Sequence, residues 1–135
     1  MEILPISSNK RNGEYKSMSL KVGIFEDDKE LADFLKDLLE ENGFDVKLHY
    51  SLKENSWTTM DVILGDFRNK LVEFETLRLR CVEAKVPLIA ISGADTTYSP
   101  QLLKPFTIDE MQAVILQQMM ANRNSNSKSG NRKAG

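Results

Sequence analysis

Three short apolar runs, each stopping at a side chain that carries oxygen, constrain this chain more than any other feature. LKVGIF (20–25) ends at Glu26, DVILG (61–65) at Asp66, and PLIAIS (87–92) closes on Ser92. Runs of this length with little polar alternation are the mark of buried strands. Amphipathic stretches separate them, and the alternation predicts an α/β fold: a parallel sheet with helices on both faces.

The intervening segments fill in the rest. Asp28 to Asn42 reads as a helix burying Leu31, Phe34, Leu35, Leu38 and Leu39, with Gly43 where a left-handed C-cap is wanted. FDVKL (44–48) alternates like a strand. Leu52 to Trp57 allows a turn or two of helix, with Trp57 closing the core beneath it. Lys70 to Ala84 reads as a helix burying Leu71, Phe74, Leu77 and Cys81, while QLLK (101–104) supplies a brief fifth strand. Thr107 and Glu110 form a capping box for a last helix with Ile108, Met111, Val114, Ile115 and Met119 on its inner face. About nine residues separate Ser92 from Gln101, fewer than a crossover with a full helix needs. Gly93 to Pro100 is therefore expected to be loop or at most one helical turn, leaving the sheet surface that a full helix would cover to be shielded by Tyr98 and Pro100, by the last helix or by a second molecule.

At 135 residues and 41% hydrophobic content the chain supports one core. Residues 1–18 show no period and read as a flexible leader, 19–121 as the folded domain, and 122–135 as a disordered basic tail. The net charge of −2 hides an acidic core, because Arg123, Lys128, Arg132 and Lys133 lie in that tail. An acidic core argues against direct nucleic-acid binding. The single cysteine, Cys81, and single histidine, His49, form neither a disulfide nor a zinc cluster. Cys81 reads as a core residue and His49 as a plain surface or edge histidine. No apolar run is long enough to cross a bilayer, so the expectation is a soluble cytoplasmic protein with no membrane partner.

Chemistry in an open parallel sheet belongs to the carboxyl ends of the strands. Those ends carry Glu26, Asp27 and Asp28, then Asp66, Ser92 and Lys104. Adjacent carboxylates repel, and a hard divalent cation such as magnesium relieves that repulsion. Asp66 beside the metal can attack phosphorus and form an acyl phosphate, with Ser92 and Lys104 meeting the phosphoryl oxygens. The plainer alternative is that the acids merely favour the first turn of a helix. Arg68 is either a solvated loop cation or a charge close enough to alter hydrolysis of the acyl phosphate.

VGIFEDD, DVILGD, PLIAIS and LLKPF, in that order, resemble the receiver domain of bacterial two-component response regulators over about residues 20–121. The resemblance implies a doubly wound, flavodoxin-like sheet of five parallel strands in the order 2-1-3-4-5, here with the fourth helix reduced or absent. It implies Glu26 and Asp27 as the acidic pair, Asp66 as phosphoacceptor, Ser92 as switch hydroxyl, and Lys104 as the lysine preceding a cis proline. The backbone carbonyl of Arg68 would complete the Mg2+ ligands. The implied partners are a histidine kinase or phosphotransfer protein and a downstream protein, with a homodimer as a further option. The chain would be a stand-alone signalling domain, catalysing only its own phosphorylation and dephosphorylation.

Two departures stand out. Phe67, Arg68, Asn69 and Lys70 replace the usual Met-Pro and Gly after the phosphoacceptor, and Gln101 occupies the position of the aromatic switch residue. The signal is then expected to travel through Ser92 and the following loop, with the surface of strand five and the last helix as the partner face. A pseudo-receiver that docks partners without phosphorylation is the competing reading. A phosphatase of the haloacid dehalogenase type would need an acid where Arg68 stands.

Overall fold

The computed structural model describes residues 19–134, with side chains through 122; the leader expected over 1–18 lies outside the described residues. Five parallel strands form one sheet: β1 Lys21–Phe25, β2 Asp45–His49, β3 Val62–Asp66, β4 Leu88–Ser92 and β5 Gln101–Leu103. Their order is β2-β1-β3-β4-β5, the doubly wound arrangement expected. Among the described residues three α-helices accompany them: α1 Lys29–Glu41, α2 Phe74–Ala84 and α3 Ile108–Ala134.

Side chains alternate across each strand and so divide the core in two. Val22, Ile24, Val62, Leu64, Ile89 and Ile91 face α1 and α3, meeting Leu35, Leu39, Met111 and Ile115. Phe25, Ile63, Leu88 and Ala90 face the other way, toward Trp57, Phe74, Leu77 and Cys81. Trp57 sits in a 3-10 helix, Asn55–Thr59, which is all the helix between β2 and β3.

α1 starts where Asp28 accepts the Leu31 N–H at 3.3 Å and stops at Gly43, whose φ of 93° suits a residue without Cβ. Phe34 is not buried as expected: it is 59% exposed. Ala32, Leu35 and Leu39 centre the buried stripe, and at 100° per residue Phe34 lies roughly 130° round from that centre. Leu71 is also outside the core, because α2 begins only at Phe74. Asn69 Oδ1 accepts the N–H groups of Leu71 and Val72, holding a turn that buries Val72 instead. His49 is no surface residue: it is buried and stacked on Phe25, its register partner on β1, with ring centroids 5.3 Å apart. Its position opposite Phe25 on the strand pleat carries the ring inward, and burial lowers its pKa, with Lys47 adding to the effect.

Gly93 to Pro100 is loop, as the spacing requires. The Thr107–Glu110 capping box is formed reciprocally, at 2.8 and 3.0 Å. α3 continues through Ala134, across the stretch expected to be a disordered tail. Among the described residues, no helix is long and apolar enough to cross a membrane.

Candidate functional site

Backbone register gathers the candidate residues at one edge of the sheet. Phe25 lies level with Gly65, so Glu26 leaves β1 beside Asp66 on β3; Asp66 is level with Ile91, one residue before Ser92. The Lys104 N–H bonds to the Ser92 carbonyl at 2.8 Å, which fixes where the lysine leaves β5. Gly65 lets α2 approach β3 closely, since a Cβ there would lie 2.8 Å from Leu77 Cδ2.

Carboxylate oxygens of Glu26, Asp27 and Asp66 lie within 4.8 Å of one another. Lys104 Nζ is 3.7 Å from Glu26 Oε1 and 3.9 Å from Asp66 Oδ1. Glu26 is buried; its Oε2 accepts the Asp28 N–H at 3.0 Å, while its Oε1 has no hydrogen-bond partner. Burial pushes the Glu26 carboxyl up to about 7, against the pull of the Asp28 N–H and with the Asp66 charge adding to the rise. The Asp27 carboxyl is lowered instead, because its Oδ2 accepts the Lys70 N–H at 2.9 Å. An all-oxygen cluster containing one buried carboxylate oxygen that accepts no hydrogen bond suits a hard divalent cation.

Ser92 is buried at the end of β4, and its hydroxyl both donates to the Ala94 carbonyl at 2.6 Å and accepts the Ala94 N–H at 3.1 Å. It shares a cleft of about 450 Å³ with Phe67, Arg68 and Ala94 to Thr97. Arg68 is exposed, in a turn closed by the Asn69 N–H on the Asp66 carbonyl at 3.2 Å. The Lys104–Pro105 bond is cis, as the resemblance implies, and so is Ser99–Pro100. Thus Glu26, Asp27, Asp66 and Lys104 converge, whereas Ser92 is turned to its own loop. Sequence reasoning missed the parts played by Asn69, the Lys70 N–H and Gln101. Asn69 following the strand-end acid was a readable turn signal; the other two depend on tertiary placement.

A doubly wound α/β sheet with an acidic cluster and a lysine at its carboxyl edge defines the class. No protein-family model matches the sequence, and no curated protein matches it. Solved structures do. The Francisella response regulator 1452 receiver domain shares 28% identity, covering 76% of this chain and 98% of its own, with a TM-score of 0.64. A two-component response regulator from Clostridium difficile shares 22% over 75% of this chain and 98% of its own, with a TM-score of 0.63. The receiver domain of the sensor histidine kinase PA1611 from Pseudomonas aeruginosa, which holds a magnesium ion in its active-site cleft, shares 19% over 75% and 98%, at 0.65. The fold of this chain is that of the CheY-like response-regulator receiver.

Proposed function

We propose that this chain is a phosphoacceptor receiver: Asp66 takes a phosphoryl group from the phosphohistidine of a kinase or phosphotransfer protein, and the modified domain changes its protein contacts. The observation that carries the reading is the placement of Lys104 Nζ within 3.9 Å of Asp66 Oδ1 at the acidic edge of a receiver fold. Asp66 attacks phosphorus as the carboxylate; a phosphorus–oxygen bond forms as the phosphorus–nitrogen bond to the donor histidine breaks. Lys104 meets the negative charge that spreads over the phosphoryl oxygens, and Ser92 can donate its hydroxyl once it turns from Ala94. Glu26, Asp27, Asp66 and the Arg68 carbonyl would hold magnesium, which when bound supplies Lewis-acid neutralisation of the same oxygens. The PA1611 receiver, with magnesium in its cleft, supports that assignment by likeness of fold.

The domain turns over no external substrate beyond its own phosphorylation and dephosphorylation, and the reading entails a cytoplasmic protein. Incubation with magnesium and acetyl phosphate, followed by intact-mass measurement, tests it. Wild type should gain one phosphoryl group and Asp66→Asn none. An unmodified wild type, under conditions that modify an ordinary receiver, would favour the pseudo-receiver reading.

A further inference from the structure

The loop from Gly93 to Pro100 is fastened by side chains rather than by a backbone ladder. At its start, Ser92 Oγ makes its two bonds to Ala94. In its middle, the Gln101 amide acts as a clip: its Oε1 accepts both the Thr96 N–H at 3.0 Å and the Thr96 hydroxyl at 2.8 Å, and its Nε2 donates to Asp95 Oδ1 at 2.6 Å. Thr96 Oγ1 in turn accepts the Tyr98 N–H at 3.1 Å. Near its end, the Tyr98 hydroxyl donates to the Leu88 carbonyl at 3.2 Å, and its ring meets Phe74 edge-on at 5.2 Å. Phe74 packs against Phe67, the residue after Asp66, at 4.9 Å.

We infer that Gln101 is the latch of this loop: it holds Asp95 and Thr96 in the resting form, and the loop is released when Ser92 leaves Ala94 for a phosphoryl group on Asp66. The inference rests on the phosphoacceptor reading and adds the element that resists the switch. A hydroxyl that donates to a phosphoryl oxygen cannot keep donating to the Ala94 carbonyl, so one fastening of the loop is lost on modification. The Gln101 clip and the Tyr98 anchor then decide how far the loop opens. Gln101 is a positioning residue, acting on Ser92 through the backbone between Ala94 and Thr96. A clip that favours the resting form also opposes the rotation of Ser92, so weakening it should raise the population of the receptive form.

Amide hydrogen exchange over residues 93–100, together with intact mass in magnesium and acetyl phosphate, tests the latch. Wild type, Gln101→Leu, Thr96→Val and the conservative Thr96→Ser are compared. The latch predicts exchange that is slow in resting wild type and Thr96→Ser, rises on modification, and is already fast in resting Gln101→Leu and Thr96→Val. It also predicts that the last two gain the phosphoryl group roughly fivefold faster, the effect of one net hydrogen bond. Resting exchange in Gln101→Leu equal to wild type overturns the latch whatever happens at Asp66. So does a modified wild type whose loop exchange is unchanged. A wild type that gains no mass overturns the phosphoacceptor reading, and with it the switching role of Gln101; fast resting exchange in Gln101→Leu would then support the clip alone.

Discussion

Lys104, leaving β5, reaches past β4 and β3 to stand 3.7 Å from Glu26, the residue that follows β1. The ammonium also lies 3.9 Å from Asp66, so it is shared by two carboxylates that come from different strands. Three strand ends, those of β1, β3 and β5, thereby depend on one another for charge balance.

Lys104→Ala should therefore separate metal binding from response. The ammonium contributes no ligand atom, so calorimetric titration should find magnesium affinity kept or slightly raised. The exchange change that phosphorylation produces in the loop should disappear, because no ammonium then ties β5 to the phosphoryl group. An exchange response identical to that of wild type contradicts this.

Proton and metal compete at Glu26. With its carboxyl pushed up to about 7 in the metal-free protein, magnesium affinity should climb between about pH 6 and 8, and Glu26→Gln should flatten that climb. The metal-free fold carries the opposite sign. A carboxyl whose folded pKa lies above its unfolded 4.5 leaves stability highest below that value and erodes it as pH rises toward about 7. His49, lowered from 6.5 by burial, subtracts stability as pH falls below 6.5. Thermal melts across pH should show Glu26→Gln gaining on wild type mainly near neutrality, and His49→Phe gaining mainly in acid. A constant offset across pH in either variant contradicts the assignment.

Gly65→Ala puts a Cβ 2.8 Å from Leu77 Cδ2 and 3.2 Å from Leu88 Cδ1, directly before Asp66. Overpacking of this kind costs about 1–3 kcal/mol and should displace α2 or β3. Denaturant melts should report the loss and acetyl phosphate labelling a slower reaction. A fully stable, fully reactive variant would show that the contact yields freely.

Cys81 lies on the buried face of α2, and burial alone pushes its thiol up to about 12. Native protein should resist a thiol-disulfide reagent and react only after denaturation. Rapid labelling in the folded state would place Cys81 outside the core described here.

Much of this was legible in the residues. The runs ending at Glu26, Asp66 and Ser92 mark β1, β3 and β4 because buried strands need uninterrupted apolar character, and the short span to Gln101 excludes a helix. Phe34 and Leu71 were misread because an apolar side chain near a stripe counts the same in a periodicity as one within it. His49 was misread because its partner is the Phe25 ring on a neighbouring strand. The fastening of Gly93 to Pro100 could not be read at all, since it depends on which way the Gln101 amide points in three dimensions.

The most direct test of the central claim locates the modified atom. Protein treated with magnesium and acetyl phosphate can be reduced with borohydride, which converts an aspartyl phosphate into homoserine, and then mapped by peptide mass. Homoserine at position 66, absent when magnesium is chelated and absent from Asp66→Asn, is the predicted result. Reduction at another carboxylate, or none at all in magnesium-treated wild type, would contradict the account.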